Sequence, residues 1–439
     1  MTQIGVIGLW HLGMVSAATL SDMGYQVVGY DQDEKLLVNL RKGQLPVYEP
    51  GLSELVQKQQ LASRLIFVSD YREAVSDSQV VLLTYDTPVD EKDCVDLAVL
   101  HKTFEQILPH LRKDGLVVVN SQVPVGSCEA WQKMIDNQRS EARIDLIYAP
   151  ENIRLGQAIE LFRNPDFIVI GSNTEAARMK AEKLYKPFKA EKYYVSWKTA
   201  EMAKHALNAF FATSISFANE LGRLCDAVGA DGIQISEILK KDSRIGKKAQ
   251  VRPGLGFSGA TLARDLRGLQ RLGKEQGVPT LLVNSVLDIN QHQVRYVVEC
   301  IERYFNDDFG KRTLTIFGLT YKPNTSTLRR SVSLEIIRAL QTKGFRIQAH
   351  DPRADLTESP NELTFNCSRD PYEATRGSDG ILLFTDWPEY RELDYGRIKE
   401  SMRDSLILDT KHYLDGDKLR KFGFTYVELG RGQLPVREL

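Results

Sequence analysis

Residues 4–31 constrain the fold more than any other stretch of the chain. Ile4-Gly5-Val6-Ile7-Gly8 is a short apolar run, residues 12–23 carry apolar side chains at helical spacing, and residues 25–30 form a second apolar run ending at Asp31. This is a strand–helix–strand unit, which lays its two strands parallel and requires cover on both faces of the sheet. Further apolar runs at 65–68, 80–84, 116–119 and 146–148 alternate with helical segments and extend the pattern. A second set, at 313–317, 345–350, 380–384, 406–408 and 424–428, repeats it near the end of the chain. The expected fold class is α/β, with two Rossmann-like doubly wound domains.

The turn inside the first unit, Gly8-Leu9-Trp10-His11-Leu12-Gly13, has the layout of a dinucleotide site, with an acidic residue, Asp31, about twenty positions on. Asp31 there accepts hydrogen bonds from the adenosine ribose hydroxyls, which favours NAD over NADP. Trp10 occupies the place of the second glycine, where the backbone normally approaches the pyrophosphate, and its indole crowds that approach. Taken alone, these residues also admit a strand–helix–strand unit that binds no nucleotide.

Composition narrows the class. With 439 residues the chain has room for two or three domains. Lys plus Arg number 57 against 58 Asp plus Glu, so no global field favours nucleic acid or an anionic membrane. No apolar run is long enough to span a bilayer, and the chain opens on a strand pattern rather than a secretory signal. Cys94, Cys128, Cys225, Cys300 and Cys367 are scattered without metal-ligand spacing, as expected of a soluble protein in a reducing cytoplasm.

Between the two α/β patterns, residues 198–228 form an unbroken apolar-periodic stretch, read as one helix of about eight turns that serves as domain spacer and dimer seam. Lys204 and Asn208 share one face of it; by themselves they read as a solvated lysine beside a capping-type asparagine. His205 points about 100° away and reads as a packing residue. Then comes Arg252-Pro253-Gly254-Leu255-Gly256-Phe257-Ser258-Gly259, whose glycines permit close backbone approach, feeding a helix predicted over 260–272. A helix N-terminus there suits an anionic or oxygen-rich ligand. Residues 307–312 read as a polar linker and 430–439 as an ordinary tail.

The loop and the helix after it, through Asp265, resemble the active-site loop of the UDP-glucose/GDP-mannose 6-dehydrogenase family, roughly G-x-G-F-G-G-S-C-F-P-K-D. Tyr48-Glu49-Pro50-Gly51-Leu52, Asp86-Thr87-Pro88, Val123-Pro124-Val125-Gly126, Ala149-Pro150-Glu151, Asn164-Pro165-Asp166, Arg244-Ile245-Gly246, Tyr321-Lys322-Pro323-Asn324-Thr325 and Thr385-Asp386-Trp387-Pro388-Glu389 resemble further motifs of that family, in order. The resemblance implies an NAD-dependent enzyme acting on a nucleotide sugar, working as a homodimer, with parts at 1–197 (NAD binding), 198–306 (dimerisation and active site) and 307–439 (nucleotide-sugar binding). It places Glu151 on the acid/base glutamate, Lys204 and Asn208 on the pair that positions substrate and stabilises negative charge, and Asp265 on the aspartate that helps hold a catalytic water. Gly8, Trp10, Gly13, Asp31, Thr87, Gln122 and Arg329 fall on the cofactor side, and Arg244, Gly256, Phe257, Lys322 and Lys411 on the substrate side, Arg244 reaching across a dimer interface.

Departures from the family pattern are concentrated where the chemistry is. Thr261 stands at the nucleophilic cysteine, Arg264 at the lysine three residues on, Gln122 at a water-ordering threonine, Leu155 at a second glutamate, Arg330 at a glutamate, and Lys411 at an arginine. In the family, a first hydride transfer makes an aldehyde, and a second needs that aldehyde held on the cysteine before hydrolysis to a uronic acid. A threonine hydroxyl needs a dedicated base to act as a nucleophile. Three readings follow: an NAD-dependent oxidoreductase using two-electron chemistry on a nucleotide sugar, the ordinary four-electron dehydrogenase, or a binding paralogue without turnover. Cys128, just after Val123-Pro124-Val125-Gly126, is the nearest alternative thiol in motif terms, at a position the family does not use for catalysis.

Overall fold

The computed structural model describes residues 2–87, 96–258, 260–306 and 309–432, and the chain divides into two units, Met1–Leu207 and Asn208–Leu439. Pro88, Cys94, Gly259, Asp307, Asp308 and residues 433–439 lie outside the described residues.

The first unit holds strands β1 (Gln3–Ile7), β2 (Gln26–Tyr30), β3 (Leu65–Val68), β4 (Val80–Leu83), β5 (Leu116–Val119), β6 (Asp145–Tyr148), β7 (Phe167–Gly171) and β8 (Glu191–Val195). They form one sheet in the order β3-β2-β1-β4-β5-β6-β7-β8. Every pair is parallel except β6 with β7. Ile4 and Val6 of β1 enter one core while Ile7 enters the other, so both faces are covered, as continuous apolar strands require. The order reverses between β1 and β4, which opens a crevice at the C-terminal ends of those strands.

The second unit repeats the plan with β9 (Thr313–Phe317), β10 (Arg346–His350), β11 (Asn366–Cys367), β12 (Gly380–Leu383), β13 (Leu406–Asp409) and β14 (Thr425–Glu428), all parallel, in the order β11-β10-β9-β12-β13-β14. The predicted strands and long helix are present within a residue or two; the helix runs Trp197–Val228, and the boundary between the units falls inside it. The helix expected over 260–272 continues to Gln276.

Four features differ from the sequence reading, one of them the two-residue strand β11, which was not expected. Strand β8 was not expected, because its edge position leaves Glu191 and Tyr193 exposed and no continuous apolar run marks it. The stretch after Asp308 is not simply a linker: Phe309 packs 5.1 Å from the Phe345 ring and Arg312 pairs with Asp379 at 3.2 Å. The tail begins as a structural strap, since buried Asp226 accepts the Gly430 and Gly432 N–H groups, each at 2.9 Å.

Candidate functional site

In the first unit, the turn after β1 is built by two glycines that admit no replacement. Gly8 has φ +98, and a Cβ on Gly13 would fall 1.7 Å from the Gly8 carbonyl oxygen. The Thr84 hydroxyl, just past β4, donates to that same carbonyl at 2.7 Å. Trp10 is the N-cap of helix His11–Asp22 and supplies no side-chain cap to it. Asp31, buried at the end of β2, accepts the Leu9 N–H at 2.6 Å and the Asp33 N–H at 3.0 Å, and burial raises its pKa. The expected ribose anchor therefore also shapes the turn, with carboxylate lone pairs left for hydroxyl donors. Thr87 and Gln122 are buried in the loops that follow β4 and β5. A close-approach glycine pair, a helix N-terminus and an acid at the end of β2 fit a dinucleotide; of the fingerprint's three glycine positions, the middle one holds Trp10.

Glu151 lies in the loop after β6. Lys204 reaches this loop from the long helix, donating to the Glu151 carbonyl at 2.7 Å and to Asn152 Oδ1 at 2.8 Å. Burial pushes the Glu151 carboxyl up to about 7, with the Lys204 cation opposing the shift. Such a group exchanges protons near neutrality, as an acid/base must. His205 is a buried packing residue whose Nε2 meets the Val123 carbonyl oxygen at 3.2 Å, as its place on the helix implied.

Cys128 offers no substitute thiol. It is fully buried, and Glu201 from the long helix accepts the Gly126 and Cys128 N–H groups at 2.6 and 2.9 Å. Desolvation, and then the neighbouring carboxylate, hold the Cys128 thiol well above its usual range, the setting of an inert cysteine. Cys225 and Cys300 are also buried, and Cys367 is half-buried in the second unit.

In the second unit the glycine loop is clasped from several elements. Asn219 accepts the Gly254 N–H at 2.8 Å, and Gln293 donates to the Gly254 carbonyl at 2.6 Å. Asn290 accepts the Phe257 N–H at 2.8 Å and donates to the Phe257 carbonyl at 3.1 Å. His412 Nε2 lies 3.0 Å from the Pro253 carbonyl oxygen. Gly256 sits at φ +96, where a Cβ would lie 2.5 Å from Asn290 Oδ1. The Phe257 ring packs with Ala209, Ala212, Leu266, Val286 and Leu287, so this residue turns its side chain into the core. Asn208 donates to the carboxylate of fully buried Asp265, which fixes one turn of the long helix to helix Ala260–Gln276. Thr261 is exposed on the first turn of that second helix.

The remaining expected residues are spread over the second unit. Arg244 is exposed and forks onto Asp242, at 3.0 and 2.6 Å. Lys322 lies 5.6 Å over the Tyr321 ring, and Arg329 pairs with Glu358 at 3.4 Å. The Lys411 N–H donates to Asp409 at 2.8 Å; desolvation lowers the pKa of its amino group, while Asp386 and Asp409 oppose the shift. Sequence reasoning missed the clasp residues Asn219, Asn290, Gln293 and His412. No local motif marks them, because each acts through contacts with residues distant in the chain.

Comparison with known proteins gives a consistent picture. Residues 2–189 match the UDP-glucose/GDP-mannose dehydrogenase family NAD binding domain, 198–292 its central domain, and 315–416 its UDP binding domain. A UDP-glucose 6-dehydrogenase from Rhizobium meliloti is 33% identical over 437 residues, covering 98% of this chain and 99% of that protein. The UDP-glucose 6-dehydrogenase TuaD of Bacillus subtilis is 33% identical over 438 residues, covering 98% and 94%. Among solved structures, a UDP-glucose dehydrogenase from Pyrobaculum islandicum superposes with TM-score 0.89 at 30% identity, covering 99% of this chain and 98% of that one.

Proposed function

Because the chain belongs to the UDP-glucose/GDP-mannose dehydrogenase family of NAD-dependent enzymes, we propose that it oxidises a nucleotide sugar by two-electron chemistry, releasing a carbonyl product instead of a uronic acid. The reading is carried by Thr261, which the resemblance of its loop aligns with the thioester-forming cysteine, and is supported by the burial of Cys128. Its relatives' names point to a UDP-sugar as substrate.

Gly8, Trp10, Gly13, Asp31, Thr87, Gln122 and Arg329 would hold NAD, which when bound would supply the hydride acceptor. Glu151 takes up the proton of the hydroxyl, since its carboxyl titrates near neutrality. Lys204 keeps the Glu151 loop in place and favours developing negative charge on the sugar oxygen. Asn208 and Asp265 act as a pair, the amide orienting the carboxylate for water or hydroxyl contact. Arg244, Gly256, Phe257, Lys322 and Lys411 are assigned to the nucleotide sugar, Phe257 through its backbone. Each turnover thus moves one hydride and one proton, giving one reduced cofactor per carbonyl formed.

The three-part division at 1–197, 198–306 and 307–439 is retained in this reading, supported by the three matched segments. So is a homodimer in the cytoplasm. Phe210, Phe217, Leu224 and Val228 are exposed along the long helix at spacings of seven, seven and four, an apolar stripe suited to a second helix.

A second reading, a binding paralogue without turnover, is favoured by the coincidence of Trp10, Gln122, Leu155 and Thr261 at positions the chemistry uses. Incubation with NAD and a panel of UDP-sugars, with NADH read by absorbance and products by mass spectrometry, separates the cases. One NADH per carbonyl formed supports the proposal. Two NADH per uronic acid overturns it, and saturable NAD binding with no reduction favours the second reading.

A further inference from the structure

We propose that His11 and Glu49 are positioning residues, a buried strap through which the glycine turn after β1 sets the loop that carries Glu151. The inference rests on the role proposed above for Glu151 and supplies a cause for that residue's surroundings.

Glu49 is 3% exposed, and its carboxylate collects three partners from two other segments of the first unit. Oε2 lies 2.7 Å from His11 Nε2 and accepts the Gly156 N–H at 2.7 Å, while Oε1 accepts the Ala158 N–H at 2.9 Å. His11, 6% exposed, is the first residue of the helix that follows Trp10, inside the expected cofactor turn. The loop from β6 to helix Ala158–Arg163 is therefore tied at both ends. Asn120 Nδ2 and Lys204 Nζ hold the Ala149 and Glu151 carbonyls at 2.5 and 2.7 Å, and Glu49 holds its far end. Gly156, at φ +81, makes the bend that turns two of the loop's N–H groups onto one carboxylate.

A carboxylate that only capped a short helix would be satisfied by the two backbone N–H groups. Adding a buried imidazole from the glycine turn joins residues 11, 49 and 156 into one charge-assisted unit, so the loop cannot shift without disturbing that turn. The consequence falls on Glu151, which this loop carries and whose carboxyl is raised by burial. Among the described residues, the charged and titratable groups facing it are Lys204 and the buried Tyr185.

The test is a carbon-13 NMR titration of the Glu151 carboxyl in the full chain, assigned by its loss in Glu151→Gln. The wild-type carboxyl should titrate at about 7, where burial pushes it. His11→Phe removes the strap's ring nitrogen, admits water to the loop, and lowers the Glu151 midpoint by about one pH unit or more. His11→Gln, which can place a donor near the Nε2 position, restores most of the wild-type value. Glu49→Gln gives the same downward displacement if His11→Phe proves unstable. An unchanged Glu151 midpoint in a folded His11→Phe or Glu49→Gln protein overturns the proposal. Because the titration is read without turnover, its failure is separate from any failure of the oxidoreductase reading.

Discussion

Replacing Glu151 by glutamine gives a stability signature whose size and sign follow from the structure. A carboxyl held at about 7 instead of its ordinary 4.5 pays roughly 3 kcal/mol to ionise in the folded chain, at about 1.4 kcal/mol for each tenfold change. Residual contact of this half-buried group with water reduces the expectation to about 2–3 kcal/mol. The folded state here holds its proton to higher pH than the unfolded state does. The contribution to stability is therefore complete below about pH 4.5 and is lost as pH rises through about 7. Glu151→Gln cannot ionise and lacks that decline. Urea unfolding of both proteins from pH 4.5 to 8.5 should show variant-minus-wild-type stability growing by about 2–3 kcal/mol, mostly between pH 5 and 7.5, while all other titrations cancel. Parallel pH dependences for the two proteins refute the reasoning, because they mean the Glu151 carboxyl is no harder to ionise in the fold than in the open chain.

Gly256→Ala places a Cβ against Asn290 Oδ1 at φ +96, combining roughly 1–2 kcal/mol of backbone strain with loss of a paired hydrogen bond, so melting should fall by about 5–15 °C; an unchanged melting temperature contradicts the clasp. Gly13→Ala drives a methyl into the Gly8 carbonyl and should weaken NAD binding at least tenfold, read by quenching of tryptophan fluorescence. Phe217→Asp with Leu224→Asp puts charge into the exposed stripe of the long helix and should halve the mass seen by light scattering, whereas an unaltered mass removes this helix as the dimer seam. In the native protein at pH 8, Cys128 should resist a thiol reagent and react only after denaturation; native labelling reopens it as a nucleophile.

Much of the architecture was legible because strands buried on both faces must be apolar along their whole length. Ile4 to Ile7, Val80 to Leu83 and Leu116 to Val119 announce themselves without any partner being known. The edge strand Glu191–Val195 and the two-residue β11 escaped notice for the converse reason: half their side chains face water, and neighbours rather than composition make them strands. Gly430 and Gly432 looked like tail residues because nothing local reveals that Asp226, some two hundred positions earlier, accepts both of their N–H groups.

The order of residue types along the chain determined two doubly wound halves, a long helix between them, a glycine turn followed by Asp31, and a threonine at position 261 in the loop that resembles the family's. Only the folded structure decided how these residues are poised. It buries Cys128 beside Glu201, lifts Glu151 to about 7, turns Phe257 inward and clasps its backbone from Asn290. Acidity and orientation depend on desolvation and on partners distant in sequence, and neither quantity exists until the chain has closed around the group.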